Sequence, residues 1–280
     1  MSKRHEAERH LQALGDIRHI MGSMKTLALL ETRKLARFLS TQQQVVHNIE
    51  TMAADFRSFF TMTPVLAEGA RHVYLLLGSE RGFCGDFNEV LLHAFDERLL
   101  QDGVADPSVV AVGRKLCVRL EGDGRLASVL DGANVAEEVE AVLGRLVDEL
   151  GRLQSQYGPF RLTVIHHAAD TGPVQTERIL PPFQQTASAS RFGHAPLLNL
   201  APDALFADML DQYLFAGLYA LVYTSLMAES RRRMQHLEGA INRLEEQSSA
   251  LSLRRNALRQ EEITEEIEVI LLSAKAVQLG

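Results

Sequence analysis

The chain of 280 residues contains no tryptophan, only 6% aromatic residues and only two cysteines. A site built from stacked aromatic rings, such as a sugar site or a cation cage, is therefore not expected. Cys84 and Cys117 form no CxxC motif and have no cluster of metal-ligand residues around them in the sequence, which argues against a zinc site and a disulfide framework. This cysteine usage suits a reducing cytoplasm. The sequence predicts no metal and no cofactor.

Long apolar runs are also missing. The run nearest the C-terminus, residues 269–272, is far too short to cross a bilayer, and the first nine residues are too polar for a signal peptide. We expect a protein that is soluble or held at a membrane only through partners. The net charge of −7 disfavours a nucleic-acid binder.

The charge is distributed unevenly along the chain. Residues 1–60 carry a net charge of +3 and residues 231–259 carry +4, whereas residues 61–230 carry −10 and residues 260–280 carry −4. Two interpretations stay open. The basic stretches are solvated helix faces, or they meet an acidic partner.

Both ends of the chain predict long helices. Residues 1–60 lack proline, and their apolar residues recur in three- and four-residue steps, which is typical of a heptad seam that ends at 61–64. This first seam consists of Leu35, Phe38, Val45, Ile49, Met52, Phe56 and Phe59. Residues 203–279 also lack proline, and leucines repeat every seven residues. This second seam consists of Leu237, Leu244, Leu251 and Leu258, with companions Met234, Ile241, Ser248, Arg255 and Glu262. Because the companions turn polar, we expect the two helices to pair with partial burial.

The middle of the chain alternates between strand and helix patterns. Strands are predicted at 72–77, 109–112, 127–130, 161–167 and 174–180, and helices at 88–100, from 113 to about 122, and at 136–157. Such alternation indicates a mainly parallel α/β sheet. We therefore predict three parts: a helix at 1–62, a small Rossmann-like α/β domain at 71–190 with an exit loop to 190, and a helix at 203–280.

No catalytic constellation is apparent. The loop at 79–88 lacks both GxGxxG and the GK[ST] of a P-loop. Cys84 has no adjacent base to activate it, and His93, His166 and His167 are expected to be structural. Two long helices around a small domain instead suggest a spacer, lever or shaft. A coiled-coil scaffold and a nucleotide-binding enzyme remain the alternatives; partner identity and nucleotide binding would distinguish them.

Four segments carry a family pattern. The loop S-E-R-G-F-C-G-D-F-N at 79–88 is similar to S-D-R-G-L-C-G-G-L-N, and the run R-Q-E-E-I-T-E-E-I-E at 259–268 is similar to R-Q-x-x-I-T-x-E-[IL]-x. Glu229, Arg233, Met234 and Ala240 fit E-x-x-x-R-M-x-x-M-x-x-A, with Leu237 in place of the second methionine. Residues 11–24 align with an N-terminal motif at Leu14, Ile20 and Met24. Together these segments resemble the gamma subunit of F-type ATP synthases.

The resemblance implies a non-catalytic central rotor shaft that couples transmembrane ion flow, such as hydrogen ion transport, to ATP synthesis or hydrolysis. In this family the terminal helices form an antiparallel coiled coil inside a ring of alpha and beta subunits, and catalysis occurs on beta. The α/β domain contacts the epsilon subunit and the c-subunit ring, at the cytoplasmic face of the membrane. The apolar tip at 269–279 would lie in a sleeve of the head.

The resemblance also assigns residues to this assembly. The implied partner-interface residues are Met24, Arg254, Arg255, Arg259, Gln260, Thr264, Glu266 and Ile270. The motif-loop residues are Arg81, Gly82, Cys84, Gly85 and Asn88. Arginines 231–233 are further candidates for facing acidic loops of beta.

Several positions depart from the family pattern. They are His19, Gly22, Glu31, Asp86, Val269 and Ser273. The departures indicate a divergent branch, such as one that serves an alternative F-type ATPase beside a standard one.

Overall fold

The computed structural model describes residues 3–60, 70–170, 172–183 and 192–278, with side chains described as far as Leu271. Its elements are α1 Lys3–Arg57, β1 His72–Leu77, α2 Phe87–Asp102, β2 Ser108–Val112, α3 Arg114–Arg119, β3 Leu126–Leu130, α4 Val139–Tyr157, β4 Arg161–His167, β5 Val174–Leu180 and α5 Pro202–Gln278. A 3₁₀ turn at Ala136–Glu138 precedes α4. The predicted bounds of β1, β4 and β5 are confirmed, whereas α3 ends earlier than predicted, at Arg119.

Contacts group the chain into two compact units. Met1–Leu27 and Met234–Gly280 form one, called here the helical unit, and Ala28–Arg233 forms the other, called the α/β unit. The helices α1 and α5 each contribute residues to both units. The predicted three-part division at 1–62, 71–190 and 203–280 stays a prediction. The helix α1 ends at Arg57, before the predicted end at 61–64, and most of the exit loop before 190 lies outside the described residues.

The α/β unit contains a five-stranded sheet with the order β3-β2-β1-β4-β5. The first four strands are parallel, and β5 runs antiparallel to β4. The chain builds outward from β1 to β3, and α4 then returns it to β4 on the other side of β1. The strand order therefore reverses between β1 and β4, and in doubly wound sheets this switch point is where ligands bind. The predicted mainly parallel α/β fold is confirmed.

Both faces of the sheet are covered, which explains the continuous hydrophobic strands. Tyr74 and Leu76 of β1 pack on one face with Leu91 and Phe95 of α2. Val73, Leu75 and Leu77 point to the other face. There they join the buried residues of α4, which are Val139, Val142, Leu143, Leu146 and Leu153. Burying each such side chain contributes about 1.5–3 kcal/mol.

The first heptad seam is only partly right. Leu35 and Phe56 are buried and Ile49 is half-buried, but three members of the predicted seam face solvent. They are Phe38, Val45 and Met52, which are 45%, 40% and 59% exposed. The buried stripe keeps Leu35 and Phe56 of the predicted seam and otherwise passes through Ala28, Thr32, Leu39 and Ala53. The prediction followed the large apolar residues and therefore missed the alanines and the threonine that also lie on the buried face of α1.

The second seam is confirmed in the helical unit. Leu237 is fully buried, and Leu244, Leu251 and Leu258 are half-buried, as are their companions as far as Glu262. Ion pairs between the two helices of the unit include Arg4–Glu262, Arg18–Glu245 and Lys25–Glu238, at 3.2, 3.3 and 2.7 Å. As the residue number rises along α1, the partner's number falls along α5. The helices are therefore antiparallel.

Among the described residues, one helix is long and apolar enough to cross a membrane by length and composition, and it lies within Pro202–Leu271. The core helices of soluble proteins meet the same criterion. Part of the apolar window, 39% of it, is buried inside the protein. Leu221, Val222, Leu226 and Met227 of α5 belong to the core of the α/β unit.

Candidate functional site

The motif loop, residues 79–88, follows β1 at the switch point of the sheet. Gly78, between β1 and the loop, lies so close to its neighbours that a side chain would not fit. A Cβ at this position would lie 2.5 Å from Leu116 Cβ and 2.8 Å from Asn88 Oδ1. Asn88, at the start of α2, accepts a hydrogen bond from the Ser79 N–H at 3.0 Å and donates one to Ser79 Oγ at 2.9 Å. Gly85 adopts the left-handed conformation that glycine tolerates best, with φ 63°. The loop is thus held in one shape by its own residues.

A carboxylate from α5 occupies the centre of this loop. The backbone N–H groups of Glu80 and Arg81 donate to the two carboxylate oxygens of Glu229, each at 3.0 Å. Arg233, one helical turn along α5, forms an ion pair with the same carboxylate. Burial raises the pKa of Glu229, while Arg233 and the two loop amides oppose that shift by stabilising the charged form. A nucleotide phosphate at this switch point would have to displace Glu229.

The same stretch of α5 makes further contacts with the carboxyl edge of the sheet. Ser225 Oγ donates to the Leu77 carbonyl at 3.2 Å, and Arg233 Nε donates to the Gly82 carbonyl at 3.3 Å. Arg231 Nη1 donates to the Ala169 carbonyl, just after β4, at 2.8 Å.

Arginines 231–233, which the resemblance makes candidates for facing acidic loops of beta, each contact the α/β unit itself, and Arg232 lies 3.7 Å from Asp86. Contact of these arginines with a partner stays a prediction. A run of charges in the sequence carries no information on which tertiary partner it meets.

Glu80 connects the motif loop to the neighbouring strand ends. Its carboxylate is nearly completely buried and accepts hydrogen bonds from the N–H groups of Arg114 and Gly132, at 2.9 and 2.8 Å. The Arg114 guanidinium adds an ion pair at 2.6 Å. Burial alone would raise the pKa of Glu80, but these hydrogen bonds lower it overall. The carboxyl ends of β1, β2 and β3 are therefore tied together by one side chain.

Cys84 is part of this packing and is unsuited to nucleophilic chemistry. Its thiol is buried and lies 3.4 Å from the Gly82 carbonyl. Burial, together with the nearby Glu229 charge, raises the pKa of Cys84 to about 12, so the thiol stays protonated at neutral pH. Arg81 extends to the surface of the loop, where its Nε donates to Asn134 Oδ1 at 2.7 Å.

The histidine pair at the end of β4 has internal partners. His167 stacks on Phe87 with ring centroids 3.8 Å apart, and its Nε2 lies 2.8 Å from the Phe87 carbonyl. Burial lowers the pKa of His167, which favours the neutral ring that donates this hydrogen bond. His166 lies within hydrogen-bond distance of the His167 carbonyl and of Glu177. Within the described ranges, no group of three His, Cys, Asp or Glu residues could hold a metal ion.

The implied partner-interface residues all belong to the helical unit, whereas the motif loop belongs to the α/β unit. Arg254, Arg259, Gln260, Thr264, Glu266 and Ile270 are exposed. Met24 and Arg255 are half-buried, and Arg255 donates to Asn256 Oδ1 at 3.0 Å. Thr264 Oγ1 donates to the Gln260 carbonyl one turn earlier, at 2.9 Å. Most of these side chains lie off the buried seam of the helix pair.

Comparison with known proteins covers both units. A family model described as ATP synthase matches residues 3–277. The chain belongs to the ATP synthase family. A curated relative, the ATP synthase gamma chain of Lachnoclostridium phytofermentans, is 26% identical over 95% of each chain. The resemblance that the motifs indicated is thereby confirmed.

Solved ATP synthases share the fold. The rotor of the Euglena gracilis mitochondrial ATP synthase, in rotational state 1, matches with a TM-score of 0.64 and 14% identity over 93% of this chain and 98% of that one. The same enzyme in rotational state 3 gives a TM-score of 0.66 at 15% identity, over 99% and 95%. Long terminal helices with a central α/β sheet are thus the fold that these proteins have in common.

Family motifs located the key residues without revealing their contacts. Glu229 and Arg233 were recognised as motif positions, and their spacing of four on one helix was the signal that they could form an ion pair. The partner amides of Glu80 and Arg81 could not be found this way, because backbone donors leave no mark in a sequence. The departure at Glu31 has a local role: its carboxylate accepts a hydrogen bond from the Ala136 N–H at the start of the 3₁₀ turn, at 2.6 Å.

Proposed function

We propose that this chain is the central rotor shaft of an F-type ATP synthase, coupling transmembrane ion flow to ATP synthesis or hydrolysis by rotation. The observation that carries the proposal is the family match over residues 3–277, which includes the antiparallel helix pair as well as the sheet. The chain is a non-catalytic subunit, and the catalytic sites lie on partner beta subunits. It is held peripherally at the membrane, on the cytoplasmic face, through its partners.

The surface of the helix pair supports a role that depends on partners. Ile263, Ile267, Val269, Ile270 and Leu271 are between 46% and 65% exposed, on the C-terminal part of α5, where few residues are buried. Contiguous exposed apolar residues mark interaction sites. We assign these apolar residues to the interface with the alpha and beta subunits, together with Met24, Arg254, Arg255, Arg259, Gln260, Thr264 and Glu266. The α/β unit is assigned to the epsilon subunit and the c-subunit ring.

Such a shaft acts by differential contact. A partner shifts a conformational equilibrium only as far as it binds one state more tightly than another. An asymmetric helix pair that turns inside the ring presents different side chains to each beta subunit in turn. Each beta subunit is thereby biased towards a different conformation without any chemistry on the shaft.

The proposal is tested by reconstituting the full chain with its alpha and beta subunits and by measuring ATPase activity and filament rotation. We expect a stable complex with rotation, and loss of coupled rotation when residues 259–280 are deleted. Failure of the full chain to assemble with alpha and beta would refute the proposal and favour the scaffold alternative.

A matched pair of substitutions sharpens the interface assignment. Glu266 is an assigned contact, whereas its neighbour Glu265, which is also exposed, is not. In the reconstituted complex, Glu266→Gln should reduce ATPase turnover severalfold, and Glu265→Gln should leave it nearly unchanged. Equal effects of the two variants would remove Glu266 from the interface.

A further inference from the structure

The contacts of Glu229 have the form of a ligand in a binding site. Two successive backbone N–H groups, from Glu80 and Arg81, each donate to one oxygen of the same carboxylate at 3.0 Å. Successive N–H groups that converge in this way form a concave anion-binding nest. The nest lies in the first loop after β1, where doubly wound folds that bind dinucleotides hold the pyrophosphate.

The surroundings of the nest require a negative charge. Arg233 is 5% exposed and forms its ion pair with Glu229 alone among carboxylates of the described chain, and Glu229 itself is 3% exposed. Without the carboxylate, the N–H groups of Glu80 and Arg81 and the buried Arg233 guanidinium would lose a charged acceptor, which is costly where water is largely excluded.

We propose that loop 79–81 and Arg233 form an anion site of carboxylate size, whose resident ligand is the Glu229 side chain. The helix α5 is thereby docked to the sheet by a tethered anion. Ser225 and Arg231, on the same stretch of α5, bind carbonyls at the ends of β1 and β4 and keep the tether in place. This inference concerns how the α/β unit is assembled and does not depend on the rotor function.

The proposal predicts that the site can be emptied and refilled. Glu229→Ala removes the ligand but leaves the donors, so a small free carboxylate should bind where the side chain was. Acetate is the probe, and sodium chloride at equal ionic strength controls for general salt effects. In the full-length variant we expect a lowered Tm, of which acetate restores at least half in a saturable manner. Acetate should not change the Tm of the original chain.

Two further variants provide controls. Glu238→Ala removes a carboxylate from the same helix, but Glu238 is 55% exposed at its side chain and pairs with the half-buried Lys25, so acetate should have no specific effect. The double variant with Glu229→Ala and Arg233→Ala also removes the guanidinium that pairs with the carboxylate, and it should abolish the response to acetate. An acetate response no larger in Glu229→Ala than in Glu238→Ala overturns the proposal. Stabilisation by inorganic phosphate but not by acetate overturns the assignment of a carboxylate-sized site.

A second measurement serves if Glu229→Ala does not fold. Glu229→Gln keeps the shape of the side chain but loses the charge, so the loop amides keep only a weaker acceptor. Hydrogen exchange by mass spectrometry, on peptides that cover residues 79–84, should then be about tenfold faster than in the original chain. Exchange in these peptides that is unchanged, while the fold is intact, overturns the proposal.

Discussion

The α/β unit and the helical unit are stabilised in different ways. In the α/β unit the strands are covered on both faces, and the charged groups Glu80 and Glu229 are buried and ion-paired. In the described part of the helical unit only Ala7, Leu14 and Leu237 are buried apolar residues, and the rest of the seam is half-covered. The first unit carries its own core, whereas the second leaves apolar surface for partners to complete.

The largest expected difference comes from one substitution made in each unit. Leu146 on α4 is 0% exposed and Leu253 on α5 is 72% exposed. Leu146→Ala leaves a cavity and should lower the free energy of unfolding by about 2–5 kcal/mol. Leu253→Ala should change it by no more than about 0.5 kcal/mol. Urea denaturation of the two full-length variants measures both changes in the free energy of unfolding. Hydrogen exchange of the amides in β1 and β4 then reports the stability of the sheet in each variant. Similar losses would show that the helix pair is stabilised as the α/β unit is.

The second prediction uses the buried histidine of the α/β unit. Burial lowers the pKa of His167 in the folded chain below its ordinary value of about 6.5. As the pH falls, His167 therefore takes up a proton in the unfolded chain before it does so in the folded chain. The neutral His167 ring makes its full contribution to the stability of the fold above about pH 6.5. That stability should be lost as the pH falls from about 6.5 through the lowered pKa of the folded state.

The pH dependence of Tm, compared between the original chain and His167→Gln, tests this sign. The nearest charged and titratable groups, Arg232, His166 and Asp86, are retained in both chains. We expect a shallower loss of Tm between pH 6.5 and 5 in the variant. An identical slope would mean that the ring is protonated in the folded chain as easily as in the unfolded one.

The smallest expected effect concerns the ion pairs of the helical unit. Lys25 and Glu238 approach to 2.7 Å, but both side chains are substantially exposed. Lys25→Ala should cost about 0.2–1 kcal/mol at low salt, and the cost should vanish near 1 M NaCl because exposed pairs are screened. A salt-independent loss above about 2 kcal/mol would place this pair with the buried pairs of the other unit.

The sequence predicted most of the framework because its patterns were local. The runs at 72–77, 161–167 and 174–180 are bounded by turn residues, and all three strands have the predicted ends. The leucine repeat from Leu237 to Leu258 identified the seam, since a period of seven leaves one helical face to be covered.

What the sequence could not predict depends on tertiary choice. Nothing local distinguishes Phe38, which is half-exposed and stacks on Tyr223, from Leu35, which is buried. The inward direction of Arg231 and the nest around Glu229 likewise depend on backbone groups brought together by the fold. The family motifs marked where these residues lie, and their geometry came only with the structure.

The ladder of ion pairs in the helical unit has a consequence for alignment. Arg18 and Lys25 are seven residues apart, as are their partners Glu245 and Glu238. If one helix slid by seven residues along the other, the apolar seam would still match, and Lys25 would lie opposite Glu245 instead of Glu238. Arg18, however, would then lie opposite Ser252. The seam allows several alignments of these helices, and the charges make one of them the best.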